Sequence, residues 1–338
     1  MANKPRATMR EVAALAGVSL KTVSRVINDE PAVSVGVRGR VLKAAEQLDY
    51  RHNMAASNLR RKVGRTRVVG ALLQDLGNSF SSSLLRALED SAREHQTAIL
   101  AASLDEEVDR EHALVADLVS RRVDGLVIMP ATDRQDYLDI ERRAGLPTVF
   151  VDRRPRGIDA DSVTVDNVAG AREATEHLIR QGHRRIAVLS DRSSIQTAAL
   201  RLGGVLAALA TAGLESRPDL VATELRSVEA AEEALLAMLS RPQPPTAVVA
   251  LRNILSVGSL RALRRAGLTR KVAVVGFDDF PMADLMDLTV IRQNVSEIGA
   301  TAARLLFDRL GGDQSAPQHI VVEHQLVWRG SGEIAPTY

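Results

Sequence analysis

The chain has 338 residues, 44 Lys/Arg against 42 Asp/Glu, and no cysteine. No apolar run approaches the roughly 18 residues that a membrane span requires, and without thiols there are no disulfides or cysteine metal sites, which fits a cytoplasmic protein. The net charge of +2 hides a division: residues 1–67 hold 14 Lys/Arg and 5 Asp/Glu, the remainder 30 and 37. A basic head therefore precedes an acidic body, the electrostatic footprint of a nucleic-acid binder.

In chain order, the basic Met1-Ala2-Asn3-Lys4-Pro5-Arg6 is followed by no apolar h-region, so no signal peptide is expected. Thr8 is placed to cap a first helix, and Glu11 three residues later completes a capping box. Val12, Ala13, Leu15 and Ala16 give that helix an apolar face. Gly17 ends it and Ser19 caps a second. Val18, Val23, Val26 and Ile27 point inward, leaving Leu20, Lys21, Thr22, Ser24 and Arg25 facing out. A helix-turn-helix has this layout, and its second helix reads base edges of double-stranded DNA from the major groove. Arg bonds guanine bidentately, while Lys and Thr reach bases or phosphates.

A third helix is expected over 35–48, capped by Ser34 and closing the core with Val37, Val41, Ala44, Ala45 and Leu48. Gly36 and Gly39 each cost it roughly 1 kcal/mol relative to Ala. A hinge over 51–65 joins this head, 1–50, to a body over 66–338. Asn53 is its N-cap, and Ala55, Ala56 and Leu59 form a small apolar stripe. A helix this short is marginal alone in water, so it is expected to order on DNA and against a second copy.

The runs Val12-Ala13-Ala14-Leu15-Ala16-Gly17-Val18-Ser19 and Thr22-Val23-Ser24-Arg25-Val26-Ile27-Asn28, together with the hinge, resemble the lactose-repressor (LacI) family of bacterial transcription regulators. The likeness spans nearly the whole chain. It implies that Leu20, Lys21 and Arg25 face bases, with Ser19, Thr22, Ser24 and Asn28 nearer phosphates; Thr8 and Asn53 are further DNA-contact candidates. It also implies that Leu59, with Ala56 beside it, wedges into a central base step from the minor groove. His52 stands where the family usually has Pro, and Gly36 and Gly39 where it has long polar side chains.

Beyond 66, short apolar runs at 68–73, 98–101, 125–129, 148–151, 186–189, 247–250 and 272–276 read as buried strands. Helical patterns at 80–95, 110–121, 134–144, 169–181, 198–212, 230–239 and 257–266 lie between them. Such alternation argues for parallel sheet covered on both faces, and the length exceeds one comfortable lobe. The expected fold is thus an all-α helix-turn-helix head plus an α/β body of two Rossmann-like parallel-sheet lobes. The resemblance makes that body a periplasmic-binding-protein type and puts crossings between lobes near 161–165, 291–294 and 323–327.

Facing lobes of this kind enclose a ligand cleft at the carboxyl ends of their strands. Strand-end polar residues are its candidates: Gln74, Asp75, Asn78, Ser81 and their neighbours, then Asp152, Asp191, Arg252, Asn253 and Asp278. The resemblance adds that Phe80 stacks on the ligand while Arg201 and Asp278 bond its polar groups. Arg201-Leu202-Gly203-Gly204-Val205 matches the family's Arg-x-x-Gly-aromatic signature except at Val205. Family sugar binders often carry Asn then Asp where this chain has Arg252-Asn253. Ile195 replaces an Arg found in purine-responsive relatives, which weakens a purine reading. The effector expected is a sugar or sugar derivative, and two arginines in one cleft suggest an acidic or phosphorylated one.

The seven His lack metal-ligand spacing, and no Walker loop, catalytic triad or dinucleotide fingerprint is present. Neither an enzyme nor a cofactor is expected. The reading is a sequence-specific regulator, a repressor controlled by a small-molecule effector, binding a pseudo-palindromic operator as a homodimer with no membrane partner. A sugar-binding receptor without DNA-regulatory role is the rival, disfavoured by the basic head. No heptad pattern follows the body, so no tetramer is expected. The helix after Phe80 and the apolar stretch 279–288 are the expected dimer contacts.

Overall fold

The computed structural model describes residues 7–27, 33–50 and 65–336. Two units result, Met1–Thr66 and Arg67–Tyr338.

In the first, Thr8 and Glu11 form both bonds of a capping box at the start of α1 (Met9–Ala16), and Gly17 closes that helix at φ 63°. Only a residue without Cβ enters this left-handed conformation at no steric cost. Ser19 then restarts the chain, its Oγ accepting from the Thr22 N–H at 3.1 Å ahead of α2 (Leu20–Ile27). Ser34 precedes α3 (Val35–Gln47) without making a side-chain cap bond, contrary to its expected role. Val12, Ala13, Ala16, Val23, Val26, Val41, Ala44 and Ala45 form the core of this unit. Leu15, expected on the buried face, is 51% exposed; it falls on the edge of the stripe set by Val12, Ala13 and Ala16. Asn28, Asn53, Ala56 and Leu59 lie outside the described residues.

The second unit holds two sheets. The first lobe contains β1 (Val68–Leu73), α4 (Ser79–Glu94), β2 (Ala98–Ser103), α5 (Val108–Ser120), β3 (Leu126–Ile128), α6 (Asp139–Arg143), β4 (Thr148–Val151) and β5 (Ser162–Val165). The second contains α7 (Asn167–Arg180), β6 (Ile186–Leu189), α8 (Gln196–Thr211), β7 (Val221–Ala222), α9 (Val228–Leu239), β8 (Ala247–Ala250), α10 (Asn253–Ala266), β9 (Ala273–Phe277) and β10 (Thr289–Gln293). Then α11 (Val295–Gly311) returns to the first lobe, and β11 (His319–Val322) and β12 (His324–Val327) complete one sheet each.

The orders β11-β5-β4-β3-β1-β2 and β12-β10-β9-β8-β6-β7 are the same topology twice. All neighbours are parallel except β10 and β12. Apolar layers cover both faces of each sheet, which is why most of the strands read as unbroken hydrophobic runs. The chain passes between lobes after β5, after β10, and at Glu323 between β11 and β12.

Several elements differ from expectation: β5, β7, β10, β11 and β12 are not among the apolar runs that read as strands. The helix expected over 134–144 is a 3-10 turn, Asp136–Leu138, followed by the five-residue α6. The 17-residue α11, packed on α4 and β4, was not assigned from the sequence.

Gly204 explains how α8 is seated. A Cβ there would stand 2.3 Å from the Val168 carbonyl oxygen and 3.1 Å from the Ala171 Cβ. The two helices approach closely only because that atom is missing, and this places Arg201 against Asn167 at the start of α7.

Candidate functional sites

The first site is the outward face of α2. Lys21 and Ser19 are exposed, Leu20 is 38% exposed, and Thr22, Ser24 and Arg25 are half-buried. Ser19 and Thr22 share a hydroxyl–hydroxyl bond of 2.9 Å, which ties the turn to the first turn of the helix. Thr8 is exposed but occupied by its capping box. Val12, Val23, Val26 and Val41 pack beneath this face and leave its outward side chains to the surface.

The second site is the cleft of the body. Asn78, Phe80, Asp152, Arg201, Arg252, Asn253 and Asp278 all line one cavity of about 40 Å³, with Gln74, Arg153, Asp191, Ile195, Thr197, Ala198, Leu251 and Gln293. Asp75 and Ser81 are not brought to it. Asp75 accepts from the Gly77 N–H at 2.8 Å within its own turn. Ser81, in the first turn of α4, is fully buried with its Oγ unpartnered; the helix is capped by Asn78, which turns position 81 into the core.

Arg201 anchors the second lobe. Its Nε donates to Asn167 Oδ1 at 2.7 Å, one Nη donates to the Leu251 carbonyl at 2.9 Å, and the same Nη lies 3.6 Å from Asp278. The guanidinium carbon sits 3.8 Å above the Phe277 ring, a cation–π contact in a buried setting. Asp278 also accepts from Gln293 Nε2, while Gln293 Oε1 is buried without a partner. Arg252 pairs with Asp191. In the first lobe Arg153 pairs with Glu106 and donates to the Pro130 carbonyl at 2.7 Å.

Asp152 faces this array fully enclosed. Burial pushes its carboxyl above the ordinary range; Arg153 and Arg201 oppose the rise, while Asp278 and Glu106 add to it. Each guanidinium lining the cavity thus has a carboxylate already, and the buried groups there without a hydrogen-bond partner are Gln293 Oε1 and Arg153 Nε, the latter 3.5 Å from Asp152.

Arg153, Thr197, Ala198 and Gln293 were not among the sequence candidates. Arg153 is second after β4, one residue beyond the reach of the strand-end rule, and Gln293 ends β10, which is not among the apolar runs to which that rule applies.

Among the described residues no helix is long and apolar enough to cross a membrane, and no group of three or more His, Asp or Glu could hold a metal ion.

Residues 66–329 match the family model described as periplasmic binding proteins and sugar binding domain of LacI family. Residues 8–53 match that of bacterial regulatory proteins, lacI family. The chain is 29% identical over 334 residues to the transcriptional repressor CytR of Escherichia coli, covering 98% of this chain and 97% of that one. It is 33% identical over 330 residues to the ribose operon repressor of the same species, covering 96% and 99%. The lac repressor dimer bound to operator and an anti-inducer superposes with a TM-score of 0.85 at 28% identity, covering 97% and 99%.

Proposed function

The chain belongs to the LacI family of bacterial regulatory proteins, and from that premise we propose that it represses transcription as a homodimer whose DNA affinity is set by a neutral polyol, a monosaccharide or its glycoside. Leu20, Lys21 and Arg25 read bases in each half-site, with Thr8, Ser19, Thr22, Ser24 and Asn28 on the backbone. Asn53, Ala56 and Leu59 act from the hinge. The helix α4 and the stretch around Met282, Leu285 and Met286, which are 61%, 77% and 37% exposed, serve the dimer contact. Its working place is the cytoplasm.

The observation that carries the effector class is the pairing of Arg201 with Asp278, Arg252 with Asp191 and Arg153 with Glu106. An anionic ligand would have to take a guanidinium from a buried carboxylate and leave that carboxylate unpaired, a costly exchange. Hydroxyl groups need no such exchange: they donate to Asp152, Asp278 and Gln293 Oε1 and accept from Arg201. This replaces the acidic or phosphorylated ligand suggested by the arginines alone. Phe80 supplies an apolar surface for the carbon face of a ring.

The cavity of about 40 Å³ has room for roughly one water, far below the several hundred Å³ of a ligand pocket. Entry therefore requires the lobes to part, and occupancy changes their closure. A ligand that prefers one closure state shifts the whole population, and operator and effector must influence each other equally.

Two measurements test the reading. Gel shift against genomic fragments should show salt-dependent binding to palindromic sites. Calorimetry with ribose, other neutral monosaccharides and their phosphates should favour the neutral member of each pair. Tight binding of a sugar phosphate with none of its parent sugar would overturn the effector assignment.

A further inference from the structure

We infer that Asn78 and Asn253 are positioning residues forming a neutral clasp that draws the two lobes together before any effector is bound. Asn78 caps α4 in the first lobe, and Asn253 opens α10 in the second. Each side-chain Nδ2 donates to the other's Oδ1 at 3.0 Å, and Asn253 Nδ2 also reaches Ser79 Oγ at 3.1 Å.

The orientation of both amides is fixed by the backbone. Asn78 Oδ1 accepts from the Phe80 N–H at 3.0 Å, and Asn253 Oδ1 accepts from the Ile254 N–H at 2.8 Å. Flipping either amide would leave its helix-start N–H facing an NH₂ group, so neither is free to turn. Each lobe therefore presents one donor and one acceptor in a set direction, and the two faces are complementary only when the lobes are shut. Asn253 is buried, which strengthens the bonds and makes their loss costly.

A second contact of the same kind lies at Arg154 and Gln196. Gln196 Oε1 accepts from the Arg154 N–H at 2.8 Å, and its Nε2 donates to the Arg154 carbonyl at 3.2 Å. Arg154 follows β4 in the first lobe and Gln196 begins α8 in the second. Both contacts join uncharged groups across the cleft. Closure held this way is insensitive to salt, unlike closure held by exposed ion pairs.

Asn253→Asp isolates the clasp. Aspartate keeps an oxygen for the Ile254 N–H, loses the bond donated to Asn78 Oδ1 and sets a carboxylate against that oxygen, while the Ser79 hydroxyl turns from acceptor to donor. The chain has no cysteine, so Arg143→Cys and Glu215→Cys place one spin label on each lobe of the full chain. Diluting with unlabelled chain restricts the pulsed dipolar measurement to distances within one chain. The parent should show mainly the short interlobe distance. Asn253→Asp should raise the ratio of open to closed molecules about tenfold, the scale of one hydrogen bond lost and a carboxylate set against an amide oxygen. Ser79→Ala should give a smaller shift in the same direction. Asn253→Ser, which also keeps an acceptor, should reproduce the large shift and decides the matter if the aspartate variant misfolds. Unchanged distances in a folded variant would overturn the clasp. The measurement uses neither effector nor DNA, so its failure is separable from failure of the sugar titration.

Discussion

Asp152 and Asp278 occupy the same place in the two lobes. Each is the residue immediately after its strand, β4 or β9, and these strands hold the same rank in their sheets. Each is in the left-handed region, at φ 68° and 72°, which a short polar side chain tolerates better than a branched one. The repeated topology thus turns two carboxylates toward one cavity. Arg153 lies 3.5 Å from Asp152 and Arg201 lies 3.6 Å from Asp278; Arg153 first and Arg201 second oppose the rise of the Asp152 carboxyl, so each lobe's acid has a guanidinium of its own lobe beside it.

The raised Asp152 carboxyl makes stability depend on pH. Burial comes first among the causes, so the folded chain keeps this proton to higher pH than the unfolded chain, whose value is 3.8. Protons bound in excess by the native state mean that stability falls as pH rises. The group's contribution is therefore full below 3.8 and is lost toward the raised folded value. Asp152→Asn should remove this slope: its melting temperature should gain on the parent as pH climbs from about 4 to 7. Calorimetric melts across that range check it, and parallel curves would refute the assignment.

Gly204→Ala should be severe and Gly203→Ala benign, although the two are adjacent on one helix. An added Cβ at 204 meets the Val168 carbonyl oxygen at 2.3 Å, whereas at 203 it meets nothing within 4 Å. Backbone cannot yield as a side chain does, so α7 and α8 must separate, at about 1–3 kcal/mol. The Arg201–Asn167 bond spans those helices, and effector affinity should fall along with stability. Gly203→Ala should gain a few tenths to about 1 kcal/mol in helix propensity. Melting and ligand titration of the pair separate steric from propensity effects.

Strand ends were legible because doubly wound sheets place ligands there, and Asn78, Asp152, Arg252 and Asp278 all follow strands visible as apolar runs. Ser81 is not legible for a physical reason: its placement depends on where α4 begins. Once Asn78 caps the helix, position 81 points inward. Gln293 was lost because β10, Thr289–Gln293, mixes Arg and Gln with apolar residues and does not read as a buried strand. The pairing of each arginine is tertiary information. Sequence placed Arg201 and Arg252 in one cleft, but their partners Asp278 and Asp191 lie 77 and 61 residues away in the chain.

The third helix of the head offers a stability gain. Gly36 and Gly39 are exposed, neither has positive φ, and a Cβ on either meets nothing within 4 Å. Among the described residues no contact requires glycine at these positions, so each to Ala should stabilise the head by up to about 1 kcal/mol. Thermal melts of the double variant should show the two gains adding, as expected for sites that share no partner. A loss of stability would mean that the glycines serve a contact made only on DNA or in the dimer.

The Arg252–Asp191 pair gives the sharpest test of how the cleft reads charge. Both side chains are largely buried, at 17% and 7% exposure. Arg252→Ala strands the carboxylate and should cost about 3 kcal/mol or more. Replacing both, as Asp191→Asn with Arg252→Gln, removes the two charges together and should recover most of that loss. If Arg252 instead served an anionic effector, the double variant would lose phosphorylated ligands selectively and keep its stability deficit. Unfolding of the parent, the two single variants and the double variant gives the coupling energy, and ribose against ribose phosphate gives the ligand preference. A large coupling with unchanged preference for the neutral sugar is the expected result. It would fix the arginine as part of the wall of the cleft, which limits the space a sugar can occupy without bonding its charge.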